Sequence, residues 1–222
     1  MANRARPGRT LPAGSRTRGR AQLIQGPLSA GGAQKQACAI VPVMDWRDLP
    51  FDDLQQGNEV DTLCWALQRV HQQFAWKTGG LDAEQLRQQH VPSTMTLAGL
   101  IKHLASVEEC WTAAAAGREP ELPWDTAKVE EDWDWHSAVD DDPEDLYALW
   151  YGVVGRTVPE WRELGRADGL DAGVHRGEWE GKPYIVSRRR MLLDVLEENL
   201  MHTGHADVLR EAVDGLRGNG PR

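Results

Sequence analysis

The sequence lacks any apolar run long enough to cross a bilayer, which excludes a transmembrane helix. Its N-terminus is basic, but no compact apolar segment with a cleavage site follows. We therefore expect no secretory signal peptide. A soluble cytoplasmic protein without a membrane partner is the expected class.

Cysteine is scarce: Cys38, Cys64 and Cys110 are the three in 222 residues, and no two of them form a C-x-x-C pair. An odd and widely spaced set argues against a disulfide framework and against a thiolate zinc site. Cys64 and Cys110 fall in predicted helices, where a free cysteine is usually a buried, reduced thiol.

Acidic residues are absent from positions 1–36, which hold seven of the 25 basic residues. The rest of the chain carries the other 18 basic residues against all 34 acidic ones, and such an acidic body repels nucleic acid phosphates. Residues 1–43 are rich in Gly, Ala, Arg and Pro without periodicity, so we expect a disordered basic tail. Met44 opens a different composition, and we hypothesise that it is the physiological start of one domain over residues 44–222.

Four long segments carry apolar residues at helical spacing. They predict helices over about Glu59–Lys77, Thr96–Ala116, Pro143–Leu164 and Arg188–Asp214. Typical cap residues stand at their ends, among them Asn58, Ser187, Gly117 and Gly215. Between them we predict a short helix over Ala83–Gln89, a Trp-rich irregular connection over 117–141 and a small hairpin over 178–184. The fold class is therefore all-α, a four-helix bundle with long irregular connections.

The chemistry is concentrated in the fourth predicted helix. One face carries a stripe of residues three or four positions apart: Met191, Val195, Glu198, His202, His205, Leu209, Val213 and Leu216. Both ends of the stripe are apolar, and a polar trio inside a core-facing stripe is costly unless its groups are satisfied. Metal ligation would satisfy them; a polar surface stripe without a metal is the alternative.

His103 lies at the edge of the apolar face of the second long helix, and Glu108 stands on that face as well. Facing helices of a bundle assemble metal sites from such residues, and Glu198 with His202 has the i, i+4 spacing of two ligands to one ion. Two histidines and a carboxylate suit Zn, Ni, Fe or Mn and leave open positions for substrate. A lone histidine is more often a surface or boundary residue. That interpretation applies to His71, His90, His136 and His175.

Two separated stretches resemble the DinB/YfiT-like superfamily of metalloenzymes. The first runs from Leu81 to Glu108 and includes Thr96-Leu97-Ala98-Gly99-Leu100-Ile101-Lys102-His103. The second is a Glu followed by His-x-Gly-His-Ala-Asp, here Glu198 and His202–Asp207. Within this superfamily, the two stretches are most similar to the actinobacterial branch that includes mycothiol-dependent S-transferases. The resemblance extends over about Asn58 to Gly215.

The resemblance implies a four-helix bundle with a metal triad. One histidine of the triad matches His103, and two ligands of the last helix match Glu198 and His202. Several relatives have His-x-x-x-His in the last helix, so a replacement of Glu198 by His205 stays open. In having a Glu at the first of these two positions, the sequence resembles the mycothiol-dependent maleylpyruvate isomerases. The resemblance also implies a low-molecular-weight thiol cosubstrate, which is mycothiol in actinobacteria.

We therefore predict a divalent-metal-dependent transferase that moves a mycothiol-like thiol onto an electrophilic small molecule, with zinc as the first candidate metal. His103, Glu198 and His202 are the predicted catalytic ligands, and His205 is a further candidate ligand. Glu108 is predicted to orient His103 or a bound water. Arg210 is predicted to hold an anionic group of the thiol or the substrate, or to form a surface ion pair with Glu211 or Asp207 instead.

Two other functions fit the same residues. A metal-assisted hydrolase or isomerase would use bound water as the nucleophile. A non-catalytic, stress-related bundle would bind the metal or form a dimer without turnover, and a homodimer is a predicted assembly of such helical bundles. The acidic body makes nucleic acid an unexpected partner in each case.

Overall fold

A computed structural model describes residues 45–121, 123–124, 132–167, 169–218 and 220. Two predictions lie outside these residues: the disordered tail over 1–43 and the start at Met44.

Six α-helices and one hairpin follow one another along the described chain. They are α1 (Glu59–Thr78), α2 (Ala83–Leu86), α3 (Leu97–Ala116), α4 (Trp133–Ser137), α5 (Pro143–Ala167), β1 (Gly173–Trp179), β2 (Lys182–Ser187) and α6 (Arg188–Asp214). The predicted helical class is confirmed in its main part, and a two-stranded sheet is added to it. None of the helices in the described part has both the length and the apolar character needed to cross a bilayer.

The predicted cap residues set the ends of the long helices. At the starts of α1 and α6, the side chains of Asn58 and Ser187 accept hydrogen bonds from first-turn amides at 2.9 and 3.3 Å. α3 and α6 end at Gly117 and Gly215, whose φ angles of 73° and 82° favour glycine. The four predicted long helices are therefore confirmed, with small shifts of their bounds.

The four long helices pack side by side around an apolar core. α3 contacts α5 and α6, and α1 contacts the same two helices. Side chains from all four are wholly buried between them, including Phe74 of α1, Leu104 of α3, Trp150 and Trp161 of α5 and Met191 of α6. Burial of each such side chain contributes about 1.5–3 kcal/mol. This core fixes which faces of α3 and α6 meet.

Two of the connections differ from the predictions. α2 is a single turn, closed by reciprocal hydrogen bonds between Asp82 and Gln85, and it ends well before Gln89. The stretch predicted as irregular contains α4. Its Trp133 packs against the core and lies under the ammonium group of Lys102, 4.2 Å from the ring centroid. A helix this short is stabilised by such tertiary contacts rather than by its own sequence pattern.

The hairpin is longer than the predicted residues 178–184. β1 and β2 pair antiparallel from Gly173 and Ser187 to Trp179 and Lys182. Residues 180 and 181 join the strands with φ angles of 51° and 74°. Positive φ at both central positions is typical of a type I′ turn, whose twist matches that of the two strands. The hairpin leads directly into the start of α6.

Gly165 marks a close crossing of α5 and α1. A Cβ atom at this position would lie 2.4 Å from Cγ2 of Val60. Because side chains in a packed core do not tolerate such an approach, we expect Gly165→Ala to lower the free energy of unfolding by about 1–3 kcal/mol. Urea unfolding measures the change.

Gly155 in the same helix provides the control. An added Cβ there meets no atom within 4 Å, so only the better helix propensity of alanine remains. We expect Gly155→Ala to raise the free energy of unfolding by about 0.5–1 kcal/mol. Effects of the same sign at both positions would contradict the close crossing at Gly165.

Candidate metal centre

Glu198 and His202 lie one turn apart on the face of α6 that is turned towards α3. Nε2 of His202 is 3.2 Å from Oε2 of Glu198. The stripe residues that precede and follow them, Val195 and Leu209, are buried in the core and hold this face inward. His202 is itself buried, whereas the Glu198 side chain is 36% exposed. The pair therefore stands at the rim of the core.

His103 reaches the same place from α3. Its Nε2 is 3.7 Å from Oε2 of Glu198, and its ring centroid is 4.8 Å from that of His202. One potential ligand atom from each of the three residues lies within 4.8 Å of the other two. The fold thus brings together three residues that the sequence analysis selected as ligands.

His205 lies behind His202 rather than beside Glu198. Its Nδ1 is 3.2 Å from Nδ1 of His202, the ring nitrogen that points away from Glu198. Within the described residues, the group of potential ligands comprises His103, Glu198 and His202. The geometry therefore favours Glu198 over His205 as the third member, and His205 is placed to orient the ring of His202.

Asp134 of α4 contacts the other ring nitrogen of His103. Its Oδ2 lies 2.8 Å from Nδ1 of His103. Burial raises the pKa of the Asp134 carboxyl, but the hydrogen bond and the charge of His103 outweigh burial, so this pKa lies below its usual value. The resulting carboxylate favours the proton on Nδ1 of His103. The lone pair on Nε2 is then free to face Glu198 and His202.

Trp135 forms an aromatic wall over the two histidines. Its ring stacks on His103 with 4.5 Å between centroids and 25° between planes, and it lies 5.7 Å from the ring of His202. The indole approaches α3 at Gly99, where a Cβ atom would be 2.9 Å from Cε3 of Trp135. Glycine at position 99 therefore permits this close contact. The Trp-rich connection thus contributes to the wall of the site.

Two of the three tryptophans of that connection serve the core instead. Trp124 is buried, and its ring meets that of Trp133 edge to face at 5.7 Å. The tryptophans of the connection are therefore divided between the wall of the site and the packing of the core.

His202 is neutral over the physiological pH range. Burial lowers the pKa of its imidazole to about 4, and the neighbouring His103 and His205 act in the same direction. A neutral imidazole keeps a lone pair available for a metal ion. Because its pKa is lower in the folded state, His202 contributes stability above about pH 6.5 that is lost as the pH falls towards 4.

Glu108 does not reach His103, so the prediction that it orients this histidine is wrong. Five residues of α-helix turn the chain by about 140°, and Glu108 points into the centre of the bundle. It is wholly buried, with its carboxyl oxygens at 2.6 Å from Nε2 of His71, 3.0 Å from the hydroxyl of Thr157 and 2.9 Å from the amide of Asn199. A carboxyl enclosed in this way offers no surface to a substrate.

Arg210 holds the end of α1. Its Nη1 donates to the main-chain oxygens of Lys77 and Gly79 at 3.0 and 2.8 Å, and Nη2 pairs with Asp214 at 2.9 Å. Arg210 is buried by these contacts. The predicted surface pair is thus replaced by an ion pair of the buried Arg210 with Asp214, and these contacts engage the guanidinium group that was predicted to hold an anionic ligand. The physical reason is that the last carbonyls of a helix lack intrahelical partners, and the guanidinium group satisfies them.

Arg210→Met is expected to lower the free energy of unfolding by about 2–3 kcal/mol, because it leaves two main-chain carbonyls without their side-chain donor and Asp214 without its ion-pair partner. Arg190→Met is the matched control. Arg190 forms the same i, i+4 pair with Asp194 on α6, but it is 65% exposed, so we expect no measurable change. Urea unfolding of both variants checks the difference. A loss at position 210 no larger than that at 190 would contradict the structural role.

His71 is the histidine that the sequence analysis placed wrongly. It is 2% exposed, and its ring meets Trp150 edge to face at 5.8 Å. It lies on the apolar face of α1, but its partner Glu108 belongs to another helix, which spacing along α1 does not indicate. His90 is half-buried, and His136 and His175 are exposed, as predicted.

Cys64 and Cys110 are free thiols. Cys64 is wholly buried, and burial raises its pKa to about 11. Cys110 is half-buried, and burial raises its pKa as well. The prediction of buried, reduced thiols is confirmed for Cys64 and in part for Cys110. Neither thiol is activated as a nucleophile near neutral pH.

The model of the mycothiol-S-transferase family matches residues 62–215 of the chain. This segment is more than half of the chain and contains His103, Asp134, Glu198 and His202. The chain belongs to the mycothiol-S-transferase family. The resemblance drawn from the two sequence stretches is thereby confirmed. No curated protein matches the chain.

Among solved structures, this mycothiol-S-transferase family member is similar to a conserved protein from Enterococcus faecalis. The two share 16% sequence identity with a TM-score of 0.56, and the match covers 72% of this chain and 100% of the other. A likeness at this level concerns the fold alone. It supports the arrangement of the helices and carries no statement about substrates.

The donor set of this mycothiol-S-transferase family member fits a divalent ion. Tetrahedral coordination with bonds of about 2.1 Å separates ligand atoms by about 3.4 Å. The Glu198 oxygen lies 3.2 Å from His202 and 3.7 Å from His103. Two imidazoles and a carboxylate suit zinc and neighbouring divalent metals, and three protein ligands leave a position open for another molecule.

Proposed function

We propose that this protein is a divalent-metal-dependent transferase that joins a mycothiol-like thiol to an electrophilic small molecule. The observation that supports the proposal is the convergence of His103, Glu198 and His202 in a chain of the mycothiol-S-transferase family. When bound, a divalent ion supplies a positive charge that favours the deprotonated form of a thiol near neutral pH. Zinc is the first candidate, followed by nickel, manganese and iron.

The surrounding residues would position this ligand set. Asp134 keeps the proton of His103 on Nδ1, so that Nε2 faces the site. His205 restrains the ring of His202 through the contact between their Nδ1 atoms. Trp135 limits the access of water on its side of His103.

The cleft beside Trp135 borders the site at that indole and is not lined by His103, Glu198 or His202, so we assign to it the part of the electrophile that lies away from the reacting atom. Its volume is about 520 Å³, which is in the range of small-molecule sites. Met95 and Val139 add apolar surface to its wall, and Gln89 and His136 add polar groups. Thr94, Thr96 and Asp132 complete the lining, so five of its eight residues are polar and the cleft suits a small molecule that carries hydrogen-bonding groups.

The test is an assay in which the metal, the thiol and the electrophile are varied separately. Protein loaded with Zn²⁺, Ni²⁺ or Mn²⁺ is mixed with mycothiol and a panel of small electrophiles, and S-conjugates are quantified by mass spectrometry. We expect conjugates that require the thiol and disappear with a chelator. Glutathione in place of mycothiol measures thiol specificity.

The same assay distinguishes the alternatives. Conversion of the electrophile without added thiol would support a metal-assisted hydrolase or isomerase. Metal binding without turnover on any substrate would support a non-catalytic bundle. The homodimer stays a prediction, and light scattering of the purified protein tests it.

A further inference from the structure

A polar cluster occupies the centre of the apolar core. Each of the four long helices contributes one residue to this core polar cluster: His71 of α1, Glu108 of α3, Thr157 of α5 and Asn199 of α6. None of the four exposes more than 2% of its surface. Buried polar groups lower stability unless they are hydrogen-bonded to one another. All the contacts within the cluster converge on Glu108.

One contact of the core polar cluster joins the two helices that carry the metal centre. Nδ2 of Asn199 donates to Oε1 of Glu108 at 2.9 Å, and also to the main-chain oxygen of Val195 at 2.9 Å. Asn199 directly follows Glu198 on α6, and Glu108 lies on α3 beyond His103. The Asn199 side chain is therefore held both by its own helix, α6, and by α3, the helix that carries His103.

A site shared between two helices depends on their relative position. A slide or rotation of α6 that moved Glu198 away from His103 would also move Asn199 away from Glu108. The Nδ2 group of Asn199 has two N–H donors, and its two acceptors are Glu108 on α3 and the Val195 main-chain oxygen on its own helix. If the bond to Glu108 breaks, Val195 satisfies only one of these donors, and leaving the other buried and unpaired is unfavourable. The contact thus opposes motions that would separate the ligands.

We propose that the hydrogen bond between Asn199 and Glu108 is a positioning contact that sets α6 against α3 and so holds Glu198 and His202 opposite His103. The inference rests on the metal site of the proposed function. It assigns to Asn199 a role that depends on its amide donor, and to Glu108 one that depends on an acceptor oxygen.

Zinc affinity separates this role from general stability. Asn199→Leu keeps a similar volume but removes the donor, and we expect Zn²⁺ to bind about tenfold more weakly or worse. Competition with a chromophoric chelator measures the affinity. Thr157→Val is the matched control, because it removes another wholly buried donor to Glu108, on a helix without ligands. We expect both variants to unfold at lower urea concentration in the metal-free form, and only Asn199→Leu to lose zinc affinity.

Two substitutions of Glu108 test whether zinc affinity depends on an acceptor oxygen at this position. Glu108→Gln keeps an oxygen that can accept from Asn199, so we expect zinc affinity close to that of the unchanged protein. Glu108→Leu removes the acceptor, so we expect the same loss as for Asn199→Leu. This pair also carries the test if Asn199→Leu does not fold.

The outcomes are distinguishable. Unchanged zinc affinity in Asn199→Leu, or equal losses in Asn199→Leu and Thr157→Val, would overturn the positioning role. If the unchanged protein binds none of Zn²⁺, Ni²⁺ and Mn²⁺, the proposed function fails, and the inference fails with it. If the unchanged protein binds zinc and only the variants of the Asn199–Glu108 bond lose affinity, the inference is supported.

Discussion

Replacing His202 with glutamine is expected to weaken Zn²⁺ binding by more than about 100-fold, beyond the ~10–100-fold loss typical of supporting residues. The substitution removes one of three donors from a group whose atoms lie within 4.8 Å of one another, and an amide is a much poorer zinc ligand than an imidazole. Elemental analysis after gel filtration measures the metal retained per chain. Thiol transfer, where present, is expected to disappear with the metal.

His175→Gln is the control for this experiment. His175 is exposed on β1 and does not belong to the ligand group found among the described residues. We expect its substitution to leave the metal content unchanged. Equal metal content in the His202 and His175 variants would mean that His202 is not a ligand.

Asp134→Asn is expected to weaken Zn²⁺ binding by about 10–100-fold while the fold is retained. Asparagine keeps the shape of the side chain but removes its negative charge. That charge keeps the proton of His103 on Nδ1, which lies 2.8 Å from Oδ2 of Asp134. The ring of His103 then loses part of its orientation, although all three ligands stay in place. Isothermal titration with Zn²⁺ measures the affinity.

Asp132→Asn tests whether charge alone explains such a loss. Asp132 stands two residues earlier, is exposed and makes no capping hydrogen bond with its side chain. Its substitution removes the same charge from the same end of α4 without touching His103. We expect zinc affinity to stay close to that of the unchanged protein. A comparable loss of zinc affinity in both variants would mean that the general negative charge of this segment, and not the contact with His103, causes the effect.

The long helices could be predicted because their signals are local. Apolar spacing identifies the buried face of a helix, and residues such as Asn58 and Gly215 mark its ends through hydrogen bonds and backbone angles close by in the sequence. α4 and the outer parts of the two hairpin strands were missed for the opposite reason. The residues of α4 are helical because Trp133 and Trp135 pack on α3, and a five-residue stretch carries no periodicity of its own.

The ligand group could be proposed from the sequence because Glu198 and His202 share a face within one helix and His103 lies at the edge of the apolar face of another, and the family resemblance matched all three. Asp134 could not be found in this way, since its partner belongs to another element and a single aspartate in an acidic segment is no signal. The cluster of tryptophans nearby was the available indication. Glu108 shows the limit of pattern analysis, because sharing an apolar face with His103 did not mean sharing its surroundings.

The core polar cluster illustrates the same limit on a larger scale. His71 and Thr157 each follow the spacing of a buried face, but their hydrogen-bond partner belongs to a different helix. Sequence spacing gives the direction of a side chain, and only the packing of the helices gives its neighbours.

The central claim is that His103, Glu198 and His202 together bind one divalent ion. Crystals of the zinc-loaded protein, measured on both sides of the zinc absorption edge, test it most directly through the anomalous signal. We predict one strong peak per chain, at about 2.0–2.2 Å from Nε2 of both histidines and from a carboxylate oxygen of Glu198. A peak only at other residues, or none after reconstitution with zinc, nickel and manganese, would contradict the claim.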